Sequence, residues 1–236
     1  MKKILIYSLF LGSFIALFSG IKPQLVQAEG KTQGNISFTE DTSPEEPVDP
    51  EDPEEPIDPN RPPTEGPYSL SYVSDFQFGT QSISEKSQEY YAQLDKITSE
   101  GTEKETPNFV QFTDKSGTSK GWSLTARQTQ PFTNENGFEL KNTYFIFRNL
   151  YASTPMVQAG TPTEIMDEVK LSSEKPNEAV PVVKAGPETG QGTWTIQFGE
   201  TLEKAKNSVS FLIPGDTPKE EGTYATTIEW TFTNSL

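Results

Sequence analysis

The chain has 236 residues, with 34 acidic and 19 basic residues, a net charge of −15, and neither cysteine nor histidine. The lack of these two residue types excludes Cys–His and Ser–His–Asp nucleophiles, metal sites built on imidazole or thiolate, and disulfides. The acidity argues against a nucleic-acid partner, because phosphates are recognised by lysine and arginine. Carboxylate chemistry, oxygen-ligated cations and binding without catalysis remain.

The first 28 residues have the pattern of a secretory signal peptide. Two lysines precede an apolar run over residues 4–18, and small residues end at Ala28. We predict cleavage between Ala28 and Glu29, and therefore a secreted protein. The alternative, an uncleaved N-terminal anchor, is disfavoured because the apolar run is short for a membrane span. No apolar tail precedes Leu236, so we expect no membrane span after the signal is removed.

Residues 29–67 are predicted to form a disordered, acidic, proline-rich spacer. Residues 40–67 hold nine prolines, eleven acidic residues and one basic residue. The sequence PEEPVDP at Pro44–Pro50 recurs as PEEPIDP at Pro53–Pro59. Such a segment buries little apolar surface, and its prolines and like charges favour an extended, polyproline-II-like chain. A stalk, an acidic interaction tail and a plain solvated linker remain alternatives for its role.

Residues 68–236 are predicted to form an all-β domain. Runs rich in Thr, Val, Ile, Phe, Tyr and Trp alternate between two faces and are bounded by Gly, Pro, Asn and Asp. Frequent short strands favour a β-sandwich, Ig-like or jelly-roll-like, with short helical insertions. Strands are predicted over residues 108–113, 121–128, 143–150, 193–198, 208–213 and 223–233.

Two segments have helical character. Ser84–Ile97 contains good helix formers and Ser84 as a candidate N-cap, although a loop followed by a strand through Tyr90 and Tyr91 is an alternative. Thr163–Val169 is predicted to form one helical turn.

Two tryptophan tripeptides carry a family resemblance. Trp122-Ser123-Leu124, and Trp230-Thr231-Phe232 near the end of the sequence, are similar to the pair that names the WxL domain of Gram-positive surface proteins. Four further stretches resemble that domain, namely Asp75–Gly79, Phe112–Gly117, Gly190–Trp194, and a closing hairpin from residues 208–214 with 222–224. The resemblance covers residues 70–236. It departs from the family pattern at Phe232, where leucine is usual.

The resemblance implies a protein of the cell surface that binds the cell wall, and peptidoglycan within it, without a covalent bond. It also implies companion wall proteins and a membrane-anchored partner. We expect no cofactor, no metal and no enzymatic activity. An adhesin for host matrix or companion surface proteins is the first alternative, and a wall-acting hydrolase is a remote one.

Five residues are candidate contacts for the wall: Trp122, Leu124, Tyr224, Trp230 and Phe232. An aromatic face on a strand can stack against sugar rings, but the same spacing also fixes a core, and core is the favoured interpretation. Glycoside cleavage would need two carboxylates at a set distance, and no pairing is evident among Asp75, Asp114, Asp167, Glu168 and Glu229. An anionic wall polymer could contact the four bases Lys115, Lys120, Arg127 and Arg148, which are otherwise surface charge.

Overall fold

The structure is a computed structural model that describes residues 29–156, 160–162 and 164–234. The predicted signal peptide, including Ala28, lies outside the described residues. The chain divides into two units, residues 1–37 and 38–236. In the first unit, residues 29–37 are exposed and have no regular secondary structure.

The second unit consists mainly of antiparallel strands in three four-stranded sheets, which confirms the predicted all-β sandwich. The first sheet has the order β1 (Tyr68–Val73), β5 (Phe109–Asp114), β13 (Gly192–Phe198) and β9 (Leu150–Ser153). The second has β10 (Glu164–Ile165), β12 (Val180–Ala185), β6 (Trp122–Gln128) and β16 (Ile228–Thr233). The third has β11 (Glu168–Ser172), β8 (Tyr144–Arg148), β14 (Val209–Ile213) and β2 (Gln88–Tyr91).

Two strand pairs and one short helix complete the described fold. The pairs are β3 (Asp95–Ser99) with β4 (Thr102–Thr106), and β7 (Thr133–Asn134) with β15 (Tyr224–Ala225). The helix α1 (Leu202–Ala205) begins at the N-cap Thr201, whose hydroxyl accepts a hydrogen bond from the Lys204 amide. The predicted strand over residues 223–233 is interrupted, because β15 and β16 pair with different strands. For the same reason the expected hairpin between residues 208–214 and 222–224 does not form.

Neither segment with helical character forms a helix in its described residues. For Ser84–Ile97 the alternative prediction is confirmed, because a loop leads into β2, the strand through Tyr90 and Tyr91, where Tyr90 lies opposite Phe211 of β14. Residues 164–169 contribute to β10 and β11, where Val169 is buried opposite Phe147. Helix propensity is a weak preference, and the gain from packing an apolar side chain on an existing sheet edge exceeds it.

The main aromatic core lies between the inner faces of the three sheets. Each sheet contributes large buried side chains, including Phe112, Phe198, Trp122, Phe145 and Phe147. The alternation of apolar and polar residues along each strand decides which residues enter this core. Since the sequence has no cysteine, no disulfide supports the fold and its stability depends on this packing.

The proline-rich segment differs from the predicted disordered spacer. Residues 41–59, called the strap below, lie on the outer face of the first sheet. The Val48 amide donates to Gln111 Oε1 at 3.0 Å, and Gln197 Nε2 donates to the Pro50 carbonyl at 3.0 Å. Ile57 is only 5% exposed and packs with Tyr72, Ile97 and Phe109 in a small second core.

The two copies of the PEEPxDP repeat pair with each other within the strap. The Asp49 amide donates to the Glu55 carbonyl at 2.9 Å, and the Ile57 amide donates to the Pro47 carbonyl at 3.0 Å. The buried carboxylate of Asp49 forms an ion pair with Lys104 of β4. The order of this segment therefore comes from strands distant in sequence, which composition does not reveal.

The Ile57→Ala substitution tests the docking of the strap. We expect it to lower the free energy of unfolding by about 2–4 kcal/mol, because it empties a buried apolar site. Chemical denaturation of the mature chain measures the change. Ile36→Ala is the matched control, because Ile36 is 78% exposed and its loss should change stability by less than about 0.5 kcal/mol. Equal midpoints for the two variants would contradict a docked strap.

Candidate functional site

The two tryptophan tripeptides lie side by side on neighbouring strands of the second sheet. The register of β6 with β16 sets Leu124 opposite Phe232, and Ala126 opposite Trp230. Residues two positions apart share a face of a strand. The tryptophan and the third residue of both tripeptides therefore face the core together.

Trp122 and Leu124 are core residues in the structure. Both are fully buried. The Trp122 ring lies 4.9 Å from the Phe112 ring and 5.4 Å from the Phe232 ring, measured between centroids. Its indole N–H donates to the Gly190 carbonyl at 2.6 Å. A wall polymer therefore cannot touch these two candidate residues without opening the sandwich.

Glycine is the residue type that fits at position 190, beside the Trp122 ring. The φ of Gly190 is +73°, in the left-handed region that glycine adopts most readily. A Cβ at this position would lie 2.5 Å from the Ala185 Cβ and 2.7 Å from the Trp122 indole nitrogen. The glycine–tryptophan stretch recognised in the sequence thus includes the residue that closes over Trp122.

The other three candidate residues retain some accessible surface. Trp230 is 8% exposed, with its ring 5.5 Å from that of Phe147 and 6.0 Å from that of Phe198. Tyr224 and Phe232 are half-buried and pack against the core. The structure brings Tyr224 and Trp230 to one groove, whereas Phe232 packs on Tyr68 at a centroid distance of 5.5 Å.

This groove has a volume of about 750 Å³ and lies between β1, the loop that follows it, and β15–β16. Its apolar lining includes Leu70, Val73, Phe76, Tyr224, Ile228 and Trp230. Polar side chains also line it, among them Arg61, Asp75 and Glu229. Apolar and aromatic walls with a few polar groups are the usual composition of a ligand site.

Arginines hold the charged groups of the groove. Arg61 Nη2 lies 2.6 Å from Asp75 Oδ1, and Arg61 Nη1 donates to the Val73 carbonyl at 2.8 Å. Arg127 Nη2 lies 2.7 Å from Glu229 Oε1. The Tyr224 hydroxyl donates to the Glu220 carbonyl at 3.1 Å, which orients the ring. The groove therefore offers an aromatic wall beside fixed hydrogen-bonding groups.

A second cavity, of about 420 Å³, lies at the other end of the first sheet. It is lined by Thr113, Asp114 and Lys115, by Ser119 and Gln191 from the adjoining loops, by Thr193, and by Glu45 from the strap. The ammonium of Lys115 lies 3.3 Å from Asp41 Oδ2 and 3.3 Å from Glu45 Oε2. Hydrogen bonds from Ser43 and from Lys115 lower the pKa of Asp41 to about 2.

The carboxylates considered for glycoside cleavage have other partners in the structure. Asp75 and Glu229 pair with arginines as described, and Glu168 Oε2 lies 2.9 Å from Arg148 Nε. Asp114 Oδ1 accepts a hydrogen bond from the Ser116 amide at 3.0 Å. Asp167 lies in the bend between β10 and β11. The contacts that hold four of these groups are thus with cations and a backbone amide.

Sequence reasoning missed a partly buried polar cluster beneath the strap. Asp95 Oδ2 accepts hydrogen bonds from the Ser74 hydroxyl at 2.5 Å and the Tyr72 hydroxyl at 3.1 Å. Burial raises the pKa of Asp95, and burial together with the neighbouring Asp95 carboxyl raises the pKa of Tyr72. No local sequence pattern predicts this cluster, because its residues lie far apart in the sequence and only the folded chain brings them together.

Taken together, the fold and the groove define a β-sandwich binding module. Within the described ranges, no group of three or more metal-ligating side chains could hold a metal ion. In the same part of the chain, no helix has the length and apolar character that a membrane crossing requires.

The family model described as "WxL domain surface cell wall-binding" matches residues 26–235. The chain therefore belongs to this family, which confirms the resemblance found in the sequence, and it is a surface protein that binds the cell wall. The match begins well before β1 and includes the strap. No curated protein and no solved structure matches the chain.

The Trp122→Ala substitution tests the assignment of the first tripeptide to the core. We expect a loss of about 3–5 kcal/mol in the free energy of unfolding, as is usual when a buried large aromatic side chain is truncated. Tyr151→Ala is the matched control, since Tyr151 is 40% exposed. Denaturant titration followed by circular dichroism measures both variants. A stable Trp122→Ala protein that has lost only wall retention would make this residue a contact instead.

Proposed function

We propose that this surface protein is secreted, that its ligand within the cell wall is peptidoglycan, and that it acts in attachment and assembly rather than catalysis. Family membership supports the wall as the target. The groove beside the second tripeptide supports a saccharide ligand, because it combines the Tyr224 and Trp230 rings with polar groups at fixed positions. That groove is the single observation that carries the proposal.

The physical basis is stacking of sugar C–H faces on aromatic rings. An aromatic side chain offers a large apolar contact, and the hydroxyl of a tyrosine adds a polar handle. Hydroxyl and amide groups of a glycan can then bond to the groove's polar side chains, such as Glu229. The groove is open to solvent and is lined by the consecutive residues 223–230, which gives a polymer room to pass across it.

Secretion is part of the proposal. Cleavage after Ala28 would leave Glu29 as the first residue of the mature chain. The intact mass of protein recovered from the cell surface tests this directly, and a mass that includes residues 1–28 would contradict it.

Companion surface proteins are also part of the proposal, as the family resemblance implies. Wall sacculi stripped of protein and native envelopes separate the two modes of attachment. Equal retention on both would mean that the wall suffices for attachment. Retention on native envelopes alone would mean that companion proteins provide it.

The alternatives give different results in the same preparations. An adhesin would bind immobilised host matrix proteins more tightly than it binds sacculi. A hydrolase would release soluble fragments from sacculi during incubation. The proposal predicts retention on sacculi without such release and without an added cofactor or metal.

The Tyr224→Ala substitution tests the groove. We expect affinity for protein-stripped sacculi to fall by about five- to tenfold, because one stacking surface of roughly 1 kcal/mol or more is lost. Co-sedimentation over a range of sacculus concentrations measures the affinity, and thermal unfolding confirms that the variant is folded.

Two controls accompany this variant. Tyr224→Phe keeps the ring and loses only the two hydrogen bonds that the hydroxyl makes with the Glu220 backbone, so it should bind nearly as the parent does. Tyr151→Ala removes an exposed tyrosine outside the groove and should have no effect. If Tyr151→Ala weakens retention as much as Tyr224→Ala does, the groove is not the contact site.

A further inference from the structure

The side chain of Lys115 is held by a cage of oxygen atoms from the strap. Its ammonium donates to the Ser43 carbonyl at 2.6 Å and to the Ser43 hydroxyl at 3.2 Å. The carboxylates of Asp41 and Glu45 complete the cage, each at 3.3 Å. The lysine side chain is only 15% exposed, whereas those of Asp41 and Glu45 are 58% and 42% exposed. The largely buried ammonium of Lys115 is thus covered by two more exposed carboxylates, which come from a distant part of the sequence.

The cage stands at the wall of an open cavity. Glu45 and Lys115 both line the second cavity, and its other side chains are those of Thr113, Asp114, Ser119, Met156, Gln191 and Thr193. The Asp114 carboxylate already accepts a hydrogen bond from the Ser116 amide. Gln191 Nε2 donates to the Ser119 hydroxyl at 2.5 Å, which fixes two of these groups. A cation surrounded by hydroxyl and amide groups is suited to an oxyanion carried by a saccharide.

The strap fits the sheet beneath it imperfectly. Gln111 is fully buried under the strap and uses its Oε1 to hold the Val48 amide, yet its Nε2 has no hydrogen-bond partner in the described structure. The hydroxyls of Ser69 and Ser71 are in the same state. Buried polar atoms without partners cost free energy. The covered face therefore carries donors and acceptors that the prolines of the strap do not satisfy.

Charge also works against the strap. Residues 40–67 carry eleven acidic residues and one basic residue, and the whole chain has a net charge of −15. Like charges on the strap and on the rest of the chain repel each other. When an external anion binds Lys115, it takes the place of the strap carboxylates. The lysine then exchanges one anionic partner for another, so little interaction energy is lost.

We propose that the Lys115 cavity binds an oxyanion group of a wall polymer. The carboxylates of Asp41 and Glu45 compete with that group for the ammonium of Lys115. The inference rests on the proposed function, since it takes the wall as the ligand. The oxyanion can be a carboxylate of peptidoglycan or a phosphate of a phosphodiester wall polymer. The site is separate from the groove of Tyr224, because Asp114 pairs with Tyr68 at one end of β1 whereas the groove includes Val73 at the other.

Opposite changes in affinity test the competition. The double variant Asp41→Asn/Glu45→Gln removes the competing charges and should bind sacculi about fivefold more tightly. Lys115→Met removes the cation and should bind about tenfold more weakly, as expected for the loss of a charge-assisted hydrogen bond. Co-sedimentation with purified sacculi measures both, and thermal unfolding confirms that each variant is folded.

Matched controls remove the same charges elsewhere. Lys175 and Glu178 form an exposed ion pair, and so do Lys206 and Glu203. Lys175→Met and the double variant Glu178→Gln/Glu203→Gln should bind within about twofold of the parent. If the control double variant gains affinity as much as Asp41→Asn/Glu45→Gln does, net charge explains the gain and the proposal is overturned.

The remaining outcomes are equally decisive. If the cage were only a structural clamp, Lys115→Met and the double variant Asp41→Asn/Glu45→Gln would both lose affinity for sacculi, and that result would overturn the inference. The double variant alone decides the question if Lys115→Met is too unstable to assay, because a clamp predicts a loss of affinity where competition predicts a gain. Sacculi treated with hydrofluoric acid lack phosphodiester polymers, so an effect that persists on them assigns a carboxylate and one that disappears assigns a phosphate. Failure of the parent chain to bind any sacculi would instead remove the proposed function itself.

Discussion

The antiparallel pairing of β6 with β16 is the interaction on which the rest of the structure depends. It joins the two tryptophan tripeptides in one ladder, where Leu124 faces Phe232. The aromatic rings of this ladder contact the other two sheets. Trp122 contacts Phe112 of β5 in the first sheet, and Trp230 contacts Phe147 of β8 in the third. Because the protein has no cysteine, this packing must hold three sheets together without a covalent tie.

That constraint moves recognition away from the tripeptides themselves. Trp122 and Leu124 are fully buried in the core, so a wall polymer cannot contact them. The departure from the family pattern is accommodated in the same way, because the Phe232 ring packs between Tyr68, Phe112 and Trp122. What remains accessible is the margin of the sandwich, where the groove at Tyr224 and the cavity at Lys115 lie.

Local patterns predicted the strands well wherever the alternation of side chains was strong. The segments around Trp122, Phe145, Trp194 and Phe211 became β6, β8, β13 and β14 with small shifts at their ends. For the segment 84–97 the sequence left a helix and a strand through Tyr90 and Tyr91 as alternatives, because its helix formers carry no information about the sheet edge that Tyr90 meets. The strand is the one that forms. Of the candidate contacts, the sequence found Tyr224 and Trp230 but not their common groove, which needs Phe76 and Arg61 from another part of the chain.

The sequence by itself determined the all-β class, the family, the absence of disulfides and the identity of the aromatic residues that build the core, because these follow from composition and from period-two alternation. Only the tertiary structure decided which aromatic rings are accessible and where the acidic repeats lie. Both depend on contacts between residues far apart in the chain, such as Val48 with Gln111 and Asp41 with Lys115. Composition describes how the acidic segment behaves in water by itself, whereas its order in the structure is set by the polar sheet face on which it lies.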